Sequence, residues 1–222
     1  MADDALAPSR SYLKVEEAYV VLGREPQAGE SVCDLGAAPG GWTWLLIHRG
    51  LRVMAVDNGP LKGDALDNAL VKHLRTDGFR FRSPRPVDWL TCDMAASPSR
   101  IAALVAEWVA SRHAQHAIFN LKLPMKKRYA ELLRCEEIIA ERFRAAGMRH
   151  MLRLRQLYHD REEVTGFLTA APSLIREKVA TSIALFKTGS KRVPSGKDFA
   201  LRWKRRSWTA RRALTWLSKG RA

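Results

Sequence analysis

The chain has 222 residues, 46% of them apolar, enough for one α/β domain with a substantial core and an appendage. Its 38 Lys and Arg against 23 Asp and Glu give a formal net charge of +15, which favours a polyanionic partner and disfavours a basic one. The sequence has no apolar run of about 18 residues, and its acidic start lacks the apolar core of a secretory signal. The expectation is a cytoplasmic protein with no membrane contact.

Apolar spacing predicts a helix over 13–22, a strand over 31–35, a helix over 42–48 and a strand over 52–56. A short strand around 79–81 follows, then strands over 87–92, 117–121, 150–157 and 164–170, with helices over 100–111 and 127–146. Ser99 is the expected N-cap of the first of these helices, and Gly147 the left-handed C-cap of the second. Alternating strands and helices imply an α/β fold, a mostly parallel sheet covered on both faces. The last two strands leave no room for a helix between them, so they should end the sheet as an antiparallel pair. Residues 174–186 fit one more helix. Turn residues (Gly189, Pro194, Ser195, Gly196) and a shift in charge set a boundary near 187. The chain therefore divides into 1–186 and a tail, 187–222.

That tail holds twelve Lys and Arg and one acid, Asp198, a local charge of +11. Three of the seven tryptophans, Trp203, Trp208 and Trp216, lie there too. Basic groups neutralise phosphates and aromatic rings stack on unpaired bases, so the composition suits RNA or DNA better than a solubilising tail or a lipid contact. Cys33, Cys92 and Cys135 lack metal-ligand spacing and are expected to be reduced thiols, the first two in the core. No metal is expected.

The segment Asp34-Leu35-Gly36-Ala37-Ala38-Pro39-Gly40-Gly41-Trp42 joins the first strand to the second helix. A glycine turn there lets a ligand approach backbone that side chains would otherwise cover. Asp57 ends the second strand, where a carboxylate can accept from both hydroxyls of a ribose. The turn lacks the Gly-x-Gly-x-x-Gly spacing of dinucleotide sites, which points to a nucleoside without a pyrophosphate. Asp93 and Lys122 also end strands, on the edge that carries the ligand site of an open α/β sheet. Taken singly, Lys122 reads equally well as the salt-bridge partner of Asp93, Lys14 as a solvated helix residue, and Glu162 and Glu163 as a surface acidic pair.

Together with Cys92-Asp93-Met94 and the lysine at a later strand end, the glycine segment resembles the FtsJ-like family of S-adenosylmethionine-dependent RNA ribose 2′-O-methyltransferases. The strings Val56-Asp57-Asn58-Gly59-Pro60, Asp77-Gly78-Phe79, Asn120-Leu121-Lys122-Leu123-Pro124 and Tyr158-His159-Asp160-Arg161-Glu162-Glu163 are most similar to the RlmM branch, which methylates a cytidine of 23S rRNA. The resemblance covers about residues 9–170. It implies a Rossmann-like methyltransferase fold, a seven-stranded and mostly parallel sheet whose final strand is antiparallel. It implies a catalytic set of Lys14, Asp93, Lys122 and Glu163, with Glu162 the weaker candidate for the fourth member. It further implies that S-adenosyl-L-methionine is held by Ser11, Gly36, Ala38, Pro39, Gly40, Gly41, Trp42, Asp57, Asp77 and Asp93. Asp57 would take the ribose hydroxyls, Asp77 the adenine amino group, and Asp93 the methionine end.

The chemistry gives these residue types a role. A ribose hydroxyl is a poor nucleophile, so the protein must align it with the methyl donor and remove a proton. Neutral Lys122 is the candidate base. Lys14 and the sulfonium oppose an ammonium there, and Asp93 favours one. Lys14 can also stabilise a developing alkoxide, and Glu163 would orient Lys122 or Lys14.

The branch carries an RNA-binding THUMP module ahead of its catalytic domain, whereas this chain begins almost at the Lys14 motif. The basic tail is the expected substitute. The expected partner is 23S rRNA or a large-subunit precursor, and the expected state a monomer. Other readings are a 2′-O-methyltransferase for another rRNA site, tRNA or a cap; an inactive RNA-binding relative; a dinucleotide oxidoreductase; and a protein methyltransferase.

Overall fold

The computed structural model describes residues 4–160 and 162–171. The expected helix over 174–186, the boundary near 187 and the tail lie outside the described residues. The elements run α1 (Tyr12–Leu22), β1 (Ser31–Leu35), α2 (Gly41–His48), β2 (Arg52–Val56), β3 (Val71–Leu74), β4 (Val87–Cys92), α3 (Pro98–Ala110), β5 (Ala114–Lys122), α4 (Arg128–Ala145), β6 (Arg149–Arg155) and β7 (Glu163–Ala171), with a short 3₁₀ turn at Gly63–Ala65. The seven strands form one sheet in the order β3-β2-β1-β4-β5-β7-β6. β7 is antiparallel to both of its neighbours, and the other pairs are parallel.

The two faces of the sheet follow from the two-residue period of a strand. Val32, Val53, Ala55, Trp89, Ile118 and Phe167 pack with α1 and α2. Their chain neighbours Cys33, Leu90, Ala117, Phe119 and Leu168 pack with α3 and α4. Helix α4 contributes a narrow stripe, Cys135, Ile139 and Phe143, spaced by four. All three cysteines are buried free thiols. The edge strand β6 exposes Arg149, Arg153 and Arg155, charges that discourage further strand pairing.

Three local expectations are corrected. The segment 79–81 is not a strand. Asp77 closes a turn there, its Oδ1 accepting from Phe79 N (2.9 Å) and its carbonyl from Phe81 N (2.9 Å). The strand in that part of the chain is β3, four residues on the sheet edge, none of them fully buried, so its apolar signal is weak. The N-cap of α3 is Ser97 rather than Ser99, with Pro98 at the first helical position, where its missing N–H costs nothing. β5 starts three residues earlier than expected and ends one later, because the polar residues Gln115 and His116 are held in the ladder by parallel pairing with β4. Gly147 follows α4 with φ +63, the left-handed conformation expected of it.

The strand order reverses direction between β1 and β4, so their carboxyl ends diverge and leave a crevice. Leu35 pairs with Cys92 at that edge, and Asp93 N donates to Leu35 O (3.2 Å). The glycine turn and Asp93 are thereby adjacent although 57 positions separate Gly36 from Asp93.

Candidate active site

A cleft of about 500 Å³ opens at this switch point. Its walls include Ser11, Gly36, Ala38, Pro39, Trp42, Asp57, Asp77, Asp93, Met94 and Lys122. The turn after β1 is built from backbone. Gly36 N and Ala37 N both donate to Val56 O (3.0 and 3.4 Å), which ties the turn to the end of β2. Gly36 has φ +78, and a Cβ there would meet Met94 Cγ at 2.6 Å. Only glycine supplies that conformation and that clearance. Gly40 and Gly41 do not line the cleft. They start α2 behind it, Gly40 with φ +114, and a Cβ on Gly41 would run into the hydroxyls of Ser9 and Ser11.

Asp57 is oriented by backbone donors, Ala38 N to Oδ2 (3.1 Å) and Gly59 N to Oδ1 (2.7 Å). Each oxygen keeps a further acceptor position, as a diol requires. Asp77 is oriented in the same way by Phe79 N. Beneath the turn, Asp34 is fully buried and accepts from Thr43 Oγ1 (2.7 Å) and Thr91 Oγ1 (2.9 Å), joining β1, α2 and β4. Burial pushes its carboxyl up to about 6, although both hydroxyls pull the other way.

The second half of the site is a side-chain network. Lys122 Nζ lies 3.3 Å from Asp93 Oδ1 and donates to the Asp93 carbonyl at 2.9 Å. Asn120 Nδ2 donates to Asp93 Oδ1 (3.1 Å) and to Glu163 Oε2 (3.3 Å). Glu163 Oε2 is also ion-paired with Lys14 Nζ. The order Lys122–Asp93–Asn120–Glu163–Lys14 is therefore continuous. Lys14 and Glu163 do not line the cleft and join it through Asn120. Glu162 faces elsewhere, with Oε1 on Arg128 at 3.0 Å. Glu162 lies just outside β7 and Glu163 opens it, and only Glu163 enters the network.

The antiparallel register of β5 on β7 assembles this half. Lys122 pairs with Glu163 and Asn120 with Thr165, so four polar side chains share one face. Behind them Thr165 Oγ1 donates to Asn120 Oδ1 (2.8 Å) and lies 3.1 Å from Asp160 Oδ2. Asn120, Thr165 and Asp160 were absent from the sequence-based site. A signal existed for Asn120: it is a polar residue inside the apolar run Ala117–Ile118–Phe119, two positions from Lys122 and so on the same face.

The cleft suits a nucleoside that carries positive charge. Its ionisable walls are three carboxylates, Asp57, Asp77 and Asp93, and one amine, Lys122, a balance hostile to a pyrophosphate. Trp42 lines the cleft, and its buried indole N–H has no partner among the described residues, a donor the protein leaves unused. Fold and cleft together define an S-adenosylmethionine-dependent methyltransferase class of protein. The described residues contain no cluster of His, Cys, Asp and Glu able to hold a metal ion, and no helix long and apolar enough to cross a membrane.

Comparison with known proteins agrees with this class. Residues 7–157 match the family model of the FtsJ-like methyltransferases, and the chain belongs to that family. It is 61% identical over 166 residues to ribosomal RNA large subunit methyltransferase M of Methylococcus capsulatus, covering 73% of this chain and 47% of that protein. The protein of the same name from Laribacter hongkongensis is 57% identical over 168 residues, covering 73% and 48%. The chain thus spans about half the length of the curated relatives it matches. Among solved structures, the fibrillarin pre-rRNA processing protein of Methanococcus jannaschii shares the fold with a TM-score of 0.57 at 15% identity, over 76% of this chain and 78% of that one. The Aeropyrum pernix fibrillarin solved with S-adenosyl-L-methionine gives 0.51 at 16% identity, over 70% and 74%.

Proposed function

We propose that this chain transfers a methyl group to a ribose 2′-hydroxyl of RNA, with a cytidine of 23S rRNA as the target. The observation that carries the reading is the unbroken network from Lys122 through Asp93, Asn120 and Glu163 to Lys14, set at one end of the cleft that holds Asp57 and Asp77. The names of the relatives support rRNA as the substrate class.

S-adenosylmethionine supplies an electrophilic methyl group when bound. Asp57 would accept from its ribose hydroxyls and Asp77 from its adenine amino group, both carboxylates being held in place by backbone N–H groups. Ser11, Trp42 and the turn from Gly36 to Pro39 complete the walls. Asp93, which also lines the cleft, would hold the positively charged end. Lys122 takes the proton from the 2′-hydroxyl, so its own ammonium must first be discharged. Glu163 fixes Lys14, which can stabilise charge on the attacking oxygen. Proton removal of this kind contributes about 10²–10⁴-fold to a rate.

The RNA side of the reading rests on charge and exposure. Met125, Tyr129 and Tyr158 are exposed large apolar side chains close in sequence to Lys122 or Glu163, and rings in such places suit stacking on unpaired bases. We assign residues 1–186 to the methyltransferase unit and 187–222 to the RNA grip. Removing 187–222 is expected to weaken RNA binding and flatten its salt dependence while cofactor binding persists, as titrations at several salt concentrations would show. The function itself is tested by incubating the protein with labelled S-adenosylmethionine and rRNA lacking native modification, then mapping the label. Label on one ribose 2′-oxygen is the expected result, and label on a base or on protein would contradict it.

A further inference from the structure

We propose that Asn120 is a positioning residue for the two acids of the site, and that Thr165, backed by Asp160, fixes the direction of its side-chain amide. The proposal rests on the methyl-transfer reading of the site and adds a second layer to it.

Asn120 is fully buried at the centre of the network, where a polar side chain persists only with its hydrogen bonds made. Its two amide hydrogens are divided between different carboxylates, Asp93 Oδ1 at 3.1 Å and Glu163 Oε2 at 3.3 Å. Each of those carboxylates holds a different lysine, Asp93 holding Lys122 and Glu163 holding Lys14. One amide thus sets the spacing of both ion pairs and separates two like charges that would otherwise repel.

The amide works this way round only. Turned by 180°, its oxygen would face Asp93 Oδ1 and Glu163 Oε2 and bring three acceptor oxygens together with no amide proton between them. What prevents the turn is Thr165, whose single hydroxyl proton is donated to Asn120 Oδ1 at 2.8 Å. Thr165 Oγ1 also lies within reach of Asp160, whose two oxygens are at 3.1 and 3.4 Å. Asp160 is buried and also accepts from Leu157 N at 3.0 Å. Burial raises its carboxyl above the ordinary range, although the hydrogen bonds from Leu157 N and Thr165 pull the other way. The arrangement is imposed by register, since Asn120 and Thr165 are paired residues of β5 and β7.

Thr165→Val keeps the shape of the side chain and removes the hydroxyl, and Thr165→Ser keeps the hydroxyl. With the full chain, Thr165→Val is expected to lower kcat for methyl transfer about tenfold. Cofactor Kd and KM for RNA should stay near wild type, the melting temperature should fall modestly with the lost buried hydrogen bond, and Thr165→Ser should restore kcat to within about threefold. A Thr165→Val kcat within about twofold of wild type, an equal loss in Thr165→Ser, or a parallel weakening of cofactor Kd and KM would overturn the proposal. A second readout needs no activity: the NMR signals of the Asn120 side-chain amide in ligand-free protein. Slow solvent exchange in wild type and Thr165→Ser, faster in Thr165→Val, is expected. Identical exchange in all three would sink the proposal even if wild type is active. Should wild type transfer no methyl group to any RNA while the amide behaves as expected, the functional reading fails and the positioning device stands.

Discussion

The two halves of the cleft are built by different means. The half around Gly36, Asp57 and Asp77 is made of backbone: tight turns at strand ends and carboxylates steered by main-chain N–H groups. The half around Lys122 is made of side chains that cross from β5 to β7 and α1. Backbone turns are fixed by the fold, so the first half is pre-formed wherever the sheet is. The second half depends on register and on where single protons sit. The difference suggests a division of labour, with binding assigned to the rigid half and proton chemistry to the network.

The division can be broken from the binding side. Gly36→Ala places a Cβ against Met94 in a backbone conformation unfavourable to alanine. Cofactor affinity is expected to fall by about 100-fold, measured by calorimetry, with a lower melting temperature as well. Unchanged affinity would mean the turn is not the binding element.

A smaller effect sharpens the comparison from beneath. Asp34 supports both halves, through Thr43 on α2 and Thr91 on β4. Its folded carboxyl titrates at about 6, above the usual 3.8, so folding takes up a proton between those values. Stability from this group is present at acid pH, declines as pH rises from about 4 to 6, and stays lower above that. The loss is on the order of 3 kcal/mol. Denaturant melts of wild type and Asp34→Asn across that window should differ in slope, with the decline weaker in the variant. Equal slopes would place the titration elsewhere.

The same contrast governs what could be read from sequence. The binding half is largely local: Asp34 to Trp42 is one string, and Asp57 ends a recognisable apolar run. Strands β1, β2 and β4 coincide with their expected bounds because they lie inside the sheet and most of their residues are buried. The network half is scattered over α1, β4, β5 and β7. The sequence offered Lys122 and Glu163 as candidates, but not the Asn120 amide between the acids. That link appears only when β5 and β7 pair antiparallel with Lys122 opposite Glu163, a register no local pattern announces. Glu162 and Glu163 part at the start of β7, where Glu163 pairs with Lys122 and Glu162 lies outside the strand. β3 escaped notice for the opposite reason, as an edge strand too little buried to need apolar residues.

The division of labour is tested most directly by measuring cofactor Kd and kcat side by side for wild type and Lys122→Ala, with the full chain and unmodified rRNA. The account expects Kd within about threefold of wild type and kcat lower by about 10²–10⁴-fold. A Kd that weakens in step with kcat, or a kcat near wild type, would contradict it.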